Sequence, residues 1–389
     1  MLKQYPPDNR VLQYSYGGRF LSGIDTYLLE AYRALDHDRV QFDFLFRYEN
    51  PLGPVTKELG ASGARVYSLD VPEQANPLVR HFLEIPRLWA FLKTHRYRVV
   101  EINMSSLFIC LQCAFMAMVF GAKVRIVHSH DAVASEAVYK HLLKRAFTPL
   151  LDVVGNEFWA GSSDSTAQYL FTRRTFEQHR YTVVRNGIDA AKFAYDPVAR
   201  AELRAQLGLG DSLVVGQVGR FTKQKNHRFS LLVFRELLRT NPDAKLLLVG
   251  DGVTFASTRE LCSQLGLDDS VTFLGARDDV PRLLSAIDVI IAPSRHEGFA
   301  MGSLEWQCSG LPCLVSDAFP REVDITGRVK FMALDEPLTE WAAALAAPST
   351  KDRSTGADEV RAAGYDRQTT AEWLQRRYAE LFARQGLAA

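Results

Sequence analysis

The chain has 389 residues, of which 47% are hydrophobic and 23% are charged, a composition typical of soluble globular proteins rather than disordered or fibrous ones. Its 46 Lys and Arg residues balance 45 Asp and Glu residues, and the resulting formal net charge of +1 indicates no nucleic-acid partner. The length exceeds what one core ordinarily supports, so two domains are expected.

The N-terminal segment MLKQYPPDNR is polar and has no apolar core of the kind found in signal peptides. The five cysteines are scattered through apolar surroundings, and together these features predict a reduced, cytoplasmic protein. Cys110 and Cys113 form a CxxC pair inside the apolar run 107–120. We interpret them as buried core cysteines rather than a redox or metal site, and the run is too short to span a bilayer.

Strand-like and helix-like segments alternate in the first half of the chain. The strand RVLQYSY leads into the glycine-rich loop GGRFLSG and then into a helix whose apolar stripe contains Ile24, Leu28 and Leu35. The further predicted strands are VQFDFLF, ARVYSL, RVVEINM, VRIVHSH and EFWAGS. The further predicted helices cover 79–94, 107–119 and 134–147.

The second half repeats this alternation. Its predicted strands are SLVVGQVGR, AKLLLVG, VTFLG, VIIAPS and PCLVSD. Its predicted helices cover 226–239, 254–265, 278–286, 302–309 and, at the C-terminus, 368–385. Apolar strands that alternate with helices predict parallel sheets covered on both faces, hence a doubly wound α/β fold.

The predicted boundary between two Rossmann-like domains lies in YTVVRNGIDAAKF, where Asn186-Gly187 forms a turn. We assign 1–185 to an N-terminal, acceptor-side domain and 186–365 to a C-terminal, donor-side domain. The C-terminal helix, about 366–389, is a candidate to pack back on the N-terminal domain. Two such domains would place a ligand cleft outside the carboxyl ends of their strands.

The loop 16–23 follows the first predicted strand. Gly17, Gly18 and Gly23 leave backbone N–H groups open to an anion, and the helix that begins near Ile24 adds its positive end. A turn without a ligand explains these glycines equally well, so both readings stay open.

The loop VGRFTKQKNH at 218–227 follows a strand and carries Arg220, Lys223 and Lys225. Arg binds phosphate with two parallel hydrogen bonds, and Lys acts as a compact point charge. Such cations suit a diphosphate leaving group, on which negative charge builds up as the bond breaks. A solvated basic loop is the alternative, and Lys223 is the most typical surface residue of the three.

The loop after VIIAPS carries Glu297, and Glu305 lies about one turn into the predicted helix that follows. The helix that starts near Gly302 directs the amides of Ala300 to Ser303 towards a phosphate. Metal binding and acid–base hydrolysis of a glycoside are alternative uses of two glutamates. The neighbouring cations favour a third use, in which the carboxylates accept hydrogen bonds from sugar or ribose hydroxyls.

Together these segments resemble the retaining GT-B-fold glycosyltransferases of family 4. The segment from Glu297 to Glu305 is similar to the E-x7-E motif of that family, and Gly219-Arg220 with Lys223-Gln-Lys-Asn226 is similar to its G-R…K-x-x-N segment. NGID, SGIDT and IVHSHD resemble its inter-domain, N-terminal and histidine-ending segments. The order VGDG, VTFLGARDDVP, APSRHEGF, LPCLVSD and EVDIT resembles the branch that makes bacterial exopolysaccharides.

The resemblance implies a role for each matching position in the C-terminal domain. Glu305 would hold the nucleotide ribose, and Glu297 would contact the donor sugar. Arg220 and Lys225 would stabilise the departing diphosphate, so that neither a metal nor another cofactor is required. The further donor-binding positions that it implies are Gly219, Gly298, Phe299, Ala300, Met301, Gly302, Ser303, Asn186 and Arg277.

In the N-terminal domain, the resemblance implies that His130 faces the reacting sugar and that Gly23 approaches the phosphates or the acceptor. A purely structural histidine is the alternative for His130, and it is the favoured reading for His128. The chain departs from the family pattern at Ser22 and Asp25, where glycine and glutamate are frequent. It also departs at Ala300, a frequent glycine, and at Arg185, a frequent proline.

The sequence therefore predicts a metal-independent, retaining glycosyltransferase that takes a sugar from a nucleotide sugar, with UDP as the expected nucleotide. The acceptor would be a hydroxyl of a glycan or a lipid-linked saccharide in cell-surface polysaccharide biosynthesis. A nucleotide-sugar epimerase and a non-catalytic sugar-nucleotide-binding protein are the alternatives.

The segment 80–98 is basic and amphipathic with aromatic residues, and 139–147 adds positive charge in the same domain. This pattern is typical of an interfacial helix, and it predicts peripheral contact with the inner face of the membrane. A helix that packs on its own sheet and exposes a solvated basic face is the other reading, and it is the favoured one.

Overall fold

The computed structural model describes residues 9–17, 23–48, 53–104, 106–130, 146–349 and 351–387. The chain divides into two compact units. Unit 1 comprises Met1–Gly187 and Arg367–Ala389, and unit 2 comprises Ile188–Asp366. The division thus falls inside the NGID segment, between Gly187 and Ile188.

The described part of unit 1 contains a parallel sheet of seven strands in the order β3-β2-β1-β4-β5-β6-β7. Its strands are β1 (Arg10–Ser15), β2 (Gln41–Tyr48), β3 (Val66–Val71), β4 (Val99–Asn103), β5 (Val124–Ser129), β6 (Glu157–Gly161) and β7 (Thr182–Val184). The helices that connect them are α1 (Gly23–Ala34), α2 (Gly53–Ala61), α3 (Pro77–His95), α4 (Leu107–Val119), α5 (Leu151–Val154), α6 (Asp164–Leu170) and α7 (Arg173–Glu177).

Unit 2 contains a parallel sheet of six strands among its described residues, in the order β10-β9-β8-β11-β12-β13. Its strands are β8 (Val214–Val218), β9 (Lys245–Val249), β10 (Val271–Gly275), β11 (Val289–Ala292), β12 (Cys313–Ser316) and β13 (Val329–Met332). Its helices are α8 (Pro197–Gln206), α9 (His227–Leu237), α10 (Phe255–Gln264), α11 (Val280–Ala286), α12 (Met301–Cys308), α13 (Leu338–Ala346) and α14 (Gly356–Ala362).

The last helix, α15 (Arg367–Arg384), returns to unit 1. Its Leu374, Tyr378 and Phe382 are buried in the core cluster that also contains Phe42 of β2 and Trp159 of β6. The apolar face of α15 therefore completes one side of the first sheet.

Each sheet is covered by apolar clusters on both faces, which confirms the predicted doubly wound α/β architecture. The strands are almost entirely buried because helices cover both of their sides. In unit 2 the direction of winding reverses between β8 and β11, and in unit 1 it reverses between β1 and β4. The loops that leave these neighbouring strands start from the same edge of each sheet, where ligands bind in folds of this type.

Most predicted elements match within a few residues, and the exceptions have physical reasons. The strand β7 was not predicted, because it has only three residues and is only partly buried. The helix α8 was not predicted, although Asp196 followed by Pro197 is a typical helix start; Asp196 caps it by accepting from the amides of Val198 and Ala199. Most of the predicted helix 134–147 lies outside the described residues.

The five cysteines are buried and unpaired, so the prediction of core cysteines at Cys110 and Cys113 is confirmed. Burial raises the pKa of both thiols, which disfavours the reactive thiolate form. Among the described residues, no helix combines the length and the apolar character needed to cross a membrane.

Candidate active site

The centre of the candidate site is an ion pair in unit 2. Nζ of Lys225, in the loop after β8, lies 2.7 Å from Oε1 of Glu297, in the loop after β11. The Glu297 side chain is only 5% exposed and that of Lys225 is 25% exposed. The two residues are far apart in sequence, and they meet because β8 and β11 are neighbours in the sheet.

Side-chain to backbone hydrogen bonds hold these two loops together. Nε2 of Gln224 donates to the carbonyl of His296 at 2.9 Å, and Nδ2 of Asn226 donates to the carbonyl of Pro293 at 3.1 Å. Asn226 has φ of 56°, a left-handed conformation that Asn tolerates better than most residues, and it starts α9. The position of Lys225 is therefore set by backbone geometry on both sides of it.

Arg220 lies at the start of the same loop and is exposed. Within the described ranges, no carboxylate forms an ion pair with its guanidinium, so the charge remains available for a ligand. The neighbouring backbone packs tightly, because the amide of Phe221 donates to the carbonyl of Asp251 at 2.9 Å. A Cβ on Gly250 would overlap the carbonyl of Gly219, so the approach of these two loops requires glycine at 250.

The amino-terminal end of α12 differs in one detail from the prediction. Ala300 precedes the helix with φ of 52°, a left-handed conformation that glycine adopts without the strain of a Cβ. The amide of Ser303 donates to the carbonyl of Ala300 at 2.8 Å, and its hydroxyl donates to the carbonyl of Phe299 at 3.3 Å. Ser303 is buried, so both of its donors close the turn instead of facing a ligand.

Glu305 lies one turn into α12 and is half-buried, as are Gly298, Met301 and Gly302 at the start of this segment. The positive end of the helix dipole favours an anion near Met301 and Gly302. Phe299 points away from solvent and stacks on the ring of Tyr365, with ring centroids 5.2 Å apart. The chain thus anchors this loop by an aromatic contact and leaves its backbone at the surface.

Arg277, predicted to bind the donor, lies after β10 and forms a two-pronged ion pair with Asp279. Both hydrogen bonds measure 2.6 Å, and the guanidinium lowers the pKa of the Asp279 carboxyl. The Arg277 side chain is therefore engaged by Asp279.

In unit 1, His130 directly follows β5 and is buried, at the end of a series of hydrogen bonds. Nε2 of His130 lies 2.9 Å from Oδ1 of Asn103, Nδ2 of Asn103 donates to Oε1 of Gln13 at 2.8 Å, and Nε2 of Gln13 donates to Glu101 at 2.9 Å. Because a carboxylate only accepts hydrogen bonds, the side-chain amides of Gln13 and Asn103 each have one orientation. Nε2 of His130 must carry the proton and Nδ1 must be the acceptor.

Glu101 is the buried acceptor at the centre of this network. It also accepts hydrogen bonds from Nδ1 of His128, at 2.7 Å, and from the hydroxyl of Tyr378 on α15. Burial raises the pKa of Glu101 and lowers the pKa of His128 to about 3. His128 is therefore a neutral, fully buried donor to Glu101.

Burial, together with the neighbouring His128, also lowers the pKa of His130 well below its ordinary value, so this ring is neutral at physiological pH. The ring of His130 lies against that of Tyr27, with centroids 5.4 Å apart. A Cβ on Gly161 would lie 3.1 Å from Nδ1 of His130, so glycine at this position reduces crowding around the acceptor nitrogen. The arrangement suits a hydrogen-bond acceptor better than a cation.

An acidic residue, Asp25, lies in the first turn of α1. Asp25 is buried, and its Oδ1 accepts from the hydroxyl of Ser15 at 2.8 Å and from the amide of Gly17 at 3.4 Å. Gly23 is the exposed first residue of α1. Gly18 and Ser22 lie outside the described residues. The carboxylate of Asp25 thus already accepts a hydrogen bond from the amide of Gly17, one of the amides predicted to bind an anion.

Asn186 belongs to unit 1, whereas the predicted boundary placed it with the donor-side domain. It is buried, and its backbone amide donates to the hydroxyl of Ser162 at 2.7 Å. Within the described residues its Oδ1 has no hydrogen-bond partner. The side chain therefore retains an acceptor for a ligand.

Sequence reasoning missed Gln13, Glu101, Asn103 and Tyr378 as partners of His130. Polar residues inside the apolar strands RVLQYSY and RVVEINM were the available signal, because such residues are rarely fully buried without partners. Among the described residues, no group of three or more His, Cys, Asp or Glu side chains is arranged to hold a metal ion.

Two family models match the chain. Residues 22–187 match the glycosyl transferase 4-like domain, and residues 199–328 match the glycosyl transferases group 1. EpsF of Bacillus subtilis, which is named as a glycosyltransferase, is 31% identical over 89% of this chain and 90% of its own length.

A more distant relative is the UDP-Gal:alpha-D-GlcNAc-diphosphoundecaprenol alpha-1,3-galactosyltransferase of Escherichia coli. It is 26% identical over 76% of each chain. Among solved structures, that of HepE from Anabaena in complex with UDP-glucose aligns with a TM-score of 0.72 at 19% identity, and it covers 96% of this chain and 99% of the other. This likeness supports the GT-B fold.

Proposed function

We propose that this chain, which belongs to the GT-B glycosyltransferases of the family 4 type, transfers a sugar from a UDP-sugar to an acceptor hydroxyl with retention of anomeric configuration. The observation that carries the proposal is the Lys225–Glu297 pair beside the amino-terminal end of α12. The Lys225 cation and the positive helix terminus would bind the diphosphate. The Glu297 carboxylate would accept hydrogen bonds from the sugar hydroxyls. HepE of Anabaena, which has a similar fold, has been crystallised with UDP-glucose.

In the proposed reaction, the bond between the anomeric carbon and the phosphate oxygen breaks, and its electron pair leaves with UDP. Arg220, Lys225 and the amides at the start of α12 stabilise the charge that develops on the diphosphate. The acceptor oxygen forms the new bond on the face that UDP leaves, and its proton passes to a phosphate oxygen. These cations supply the charge that a metal would otherwise provide, so we propose that no metal is required.

The remaining residues bind and orient. Glu305 would accept hydrogen bonds from the ribose hydroxyls, and Glu297 would accept from the donor sugar while it holds Lys225. His130, with its Nδ1 as acceptor, would contact a hydroxyl of the reacting sugar. The backbone of 273–277 would contact the base. Arg277 would contribute its backbone, because its side chain is paired with Asp279.

The proposed acceptor is a hydroxyl of a glycan or a lipid-linked saccharide, in the synthesis of cell-surface polysaccharide. The name of the Escherichia coli relative describes an acceptor sugar carried on diphosphoundecaprenol. An acceptor of that kind is embedded in a membrane by its lipid, so the enzyme would need to reach the membrane surface.

Unit 1 carries a surface that suits this need. Large apolar side chains on α3, α4 and α5 are exposed, including Phe82 at 75% exposure, and these helices contact one another. The rings of Trp89 on α3 and Phe120 after α4 lie 4.7 Å apart and join the two helices. Lys93 and Arg96 add positive charge at the end of α3. We therefore propose peripheral contact with an anionic bilayer at its inner face.

The decisive experiment is a panel of UDP- and GDP-sugars, scored by thermal shift and by slow release of free nucleotide without acceptor. A UDP-sugar that stabilises the chain and releases UDP supports the proposal. An epimerase would convert the UDP-sugar without releasing UDP, and a non-catalytic binding protein would bind without any turnover. Preference for a GDP-sugar would overturn the assignment of UDP.

A further inference from the structure

A cavity lined by several basic and hydroxyl-bearing residues lies in unit 2, and neither residue of the Lys225–Glu297 pair belongs to its lining. It has a volume of about 470 Å³ and lies beside the amino-terminal ends of α9 and α10. The lining contains no acidic residue. Its lining residues include Lys223, His227, Arg228, Ser257, Thr258 and Arg295.

Three cations surround this cavity without counter-ions. Lys223, Arg228 and Arg295 are exposed, and in the part of the chain that the structure describes none of them forms an ion pair. Several other arginines of unit 2 are paired, as Arg204 is with Asp288 and Arg277 with Asp279. Three like charges around one concave surface raise the local concentration of anions.

His227 provides a second and independent indication of a ligand. The residue lines the cavity but is only 1% exposed, and neither ring nitrogen has a hydrogen-bond partner among the described residues. One face of the ring is covered by Phe221, whose centroid lies 3.9 Å away at an interplanar angle of 9°. Buried polar groups are nearly always hydrogen-bonded, so an unpaired imidazole at the wall of a cavity indicates a missing partner.

Two hydroxyls of the cavity indicate that the ligand also carries hydrogen-bond donors. Ser257 Oγ and Thr258 Oγ1 donate to the carbonyl of Thr254, at 3.1 and 2.7 Å. Their protons are therefore engaged, and their oxygens are left as acceptors. A fully ionised phosphate has no proton to offer them, whereas the hydroxyl of a sugar does. The volume also lies within the range of sites that bind small organic molecules rather than single ions.

We propose that this cavity is a binding site for a phosphate monoester that carries hydroxyl groups, such as a sugar phosphate. The phosphate binds Lys223, Arg228 and Arg295 with a donor from the His227 ring, and the amino-terminal end of α9 adds its positive dipole. The ligand hydroxyls donate to Ser257 and Thr258. The site is separate from the proposed donor site, and it does not depend on the proposed function.

Isothermal titration calorimetry with glucose 1-phosphate as the probe tests this site, in the presence of saturating UDP to occupy any donor site. The test variant is R228A/R295A, and the matched control is R235A, an exposed arginine on α9 that does not line the cavity. We expect wild type and R235A to bind the probe with equal Kd. We expect the double variant to bind at least about tenfold more weakly, because two charge-assisted contacts are lost.

Two comparison ligands complete the design. Glucose lacks the phosphate and should show no measurable binding, and inorganic phosphate should bind more weakly than glucose 1-phosphate. Equal Kd values for wild type and R228A/R295A would overturn the proposal, as would the absence of glucose 1-phosphate binding to wild type. Binding that occurs only when UDP is omitted would assign the probe to the donor site and would also overturn it.

Discussion

Nζ of Lys225 lies 2.7 Å from Oε1 of Glu297, and this ion pair joins two loops that leave neighbouring parallel strands. Because the carboxylate is buried and the ammonium is partly exposed, the pair presents its positive charge at the edge of the sheet. A donor diphosphate would meet that charge without reorganisation of either loop.

We expect K225A and E305A each to reduce sugar transfer at least about 100-fold, the usual effect of removing a charge-stabilising or positioning group. R235A is the matched control, because Arg235 is exposed on α9 and lies outside both proposed sites. Initial rates of UDP release with the best donor of the panel measure the effect. Near-normal turnover in both K225A and E305A would refute the assigned roles.

The same ion pair should contribute to stability. K225M leaves the buried Glu297 carboxylate without its partner, and we expect the free energy of unfolding to fall by about 1–3 kcal/mol. E297Q removes the charge but keeps the shape. Urea denaturation of both single variants and of the double variant gives the coupling energy, which should be at least about 1 kcal/mol. Strictly additive effects would show that the pair has no energetic role.

Tyr378 on α15 should be essential for the stability of unit 1. Its hydroxyl donates to Glu101, so Y378F removes a donor from a buried carboxylate that also anchors the His130 chain. We expect a loss of about 1–3 kcal/mol in urea denaturation. The matched control is Y181F, whose hydroxyl donates to Asp164 at an exposed position, with an expected change within about 0.5 kcal/mol. Equal losses in the two variants would contradict the buried network.

His227 should make folding stability depend on pH. Burial and the neighbouring Lys225 lower its pKa from 6.5 to about 3. Between these pH values the unfolded chain binds a proton that the folded chain does not, so the free energy of unfolding falls as the pH falls. H227F removes this group. Relative to wild type, we expect H227F to gain about 2 kcal/mol between pH 7 and pH 5 in urea denaturation. The same difference at both pH values would contradict the lowered pKa.

Phe82 should take part in membrane contact. We expect wild type to co-sediment with vesicles that contain anionic lipid at low salt and to bind less at high salt, since part of the attraction is electrostatic. F82E should reduce the bound fraction at least about threefold. The control is V253E, because Val253 is 90% exposed and belongs to unit 2, whereas the proposed surface is formed by helices of unit 1. Absence of vesicle binding at low salt would end this part of the proposal.

Much of the fold was predictable because it depends on local patterns. Apolar strands such as VIIA and LLLV and the stripes of α1 and α9 are readable over ten to twenty residues. The alternation of strand and helix then restricts the sheets to parallel order. The positions of Arg220, Lys225 and Glu297 in loops after strands followed from the same reading, since an apolar run precedes each loop.

Contacts between distant segments were decided only by the tertiary structure. The sequence showed that Lys225 and Glu297 each follow a strand, but their ion pair depends on β8 and β11 being neighbours. Likewise, Glu101 and Tyr378 meet because α15 returns to unit 1. Local periodicity determines which residues become strands and helices. The packing of whole elements determines which buried polar groups find partners, because that choice minimises unsatisfied hydrogen bonds over the entire unit.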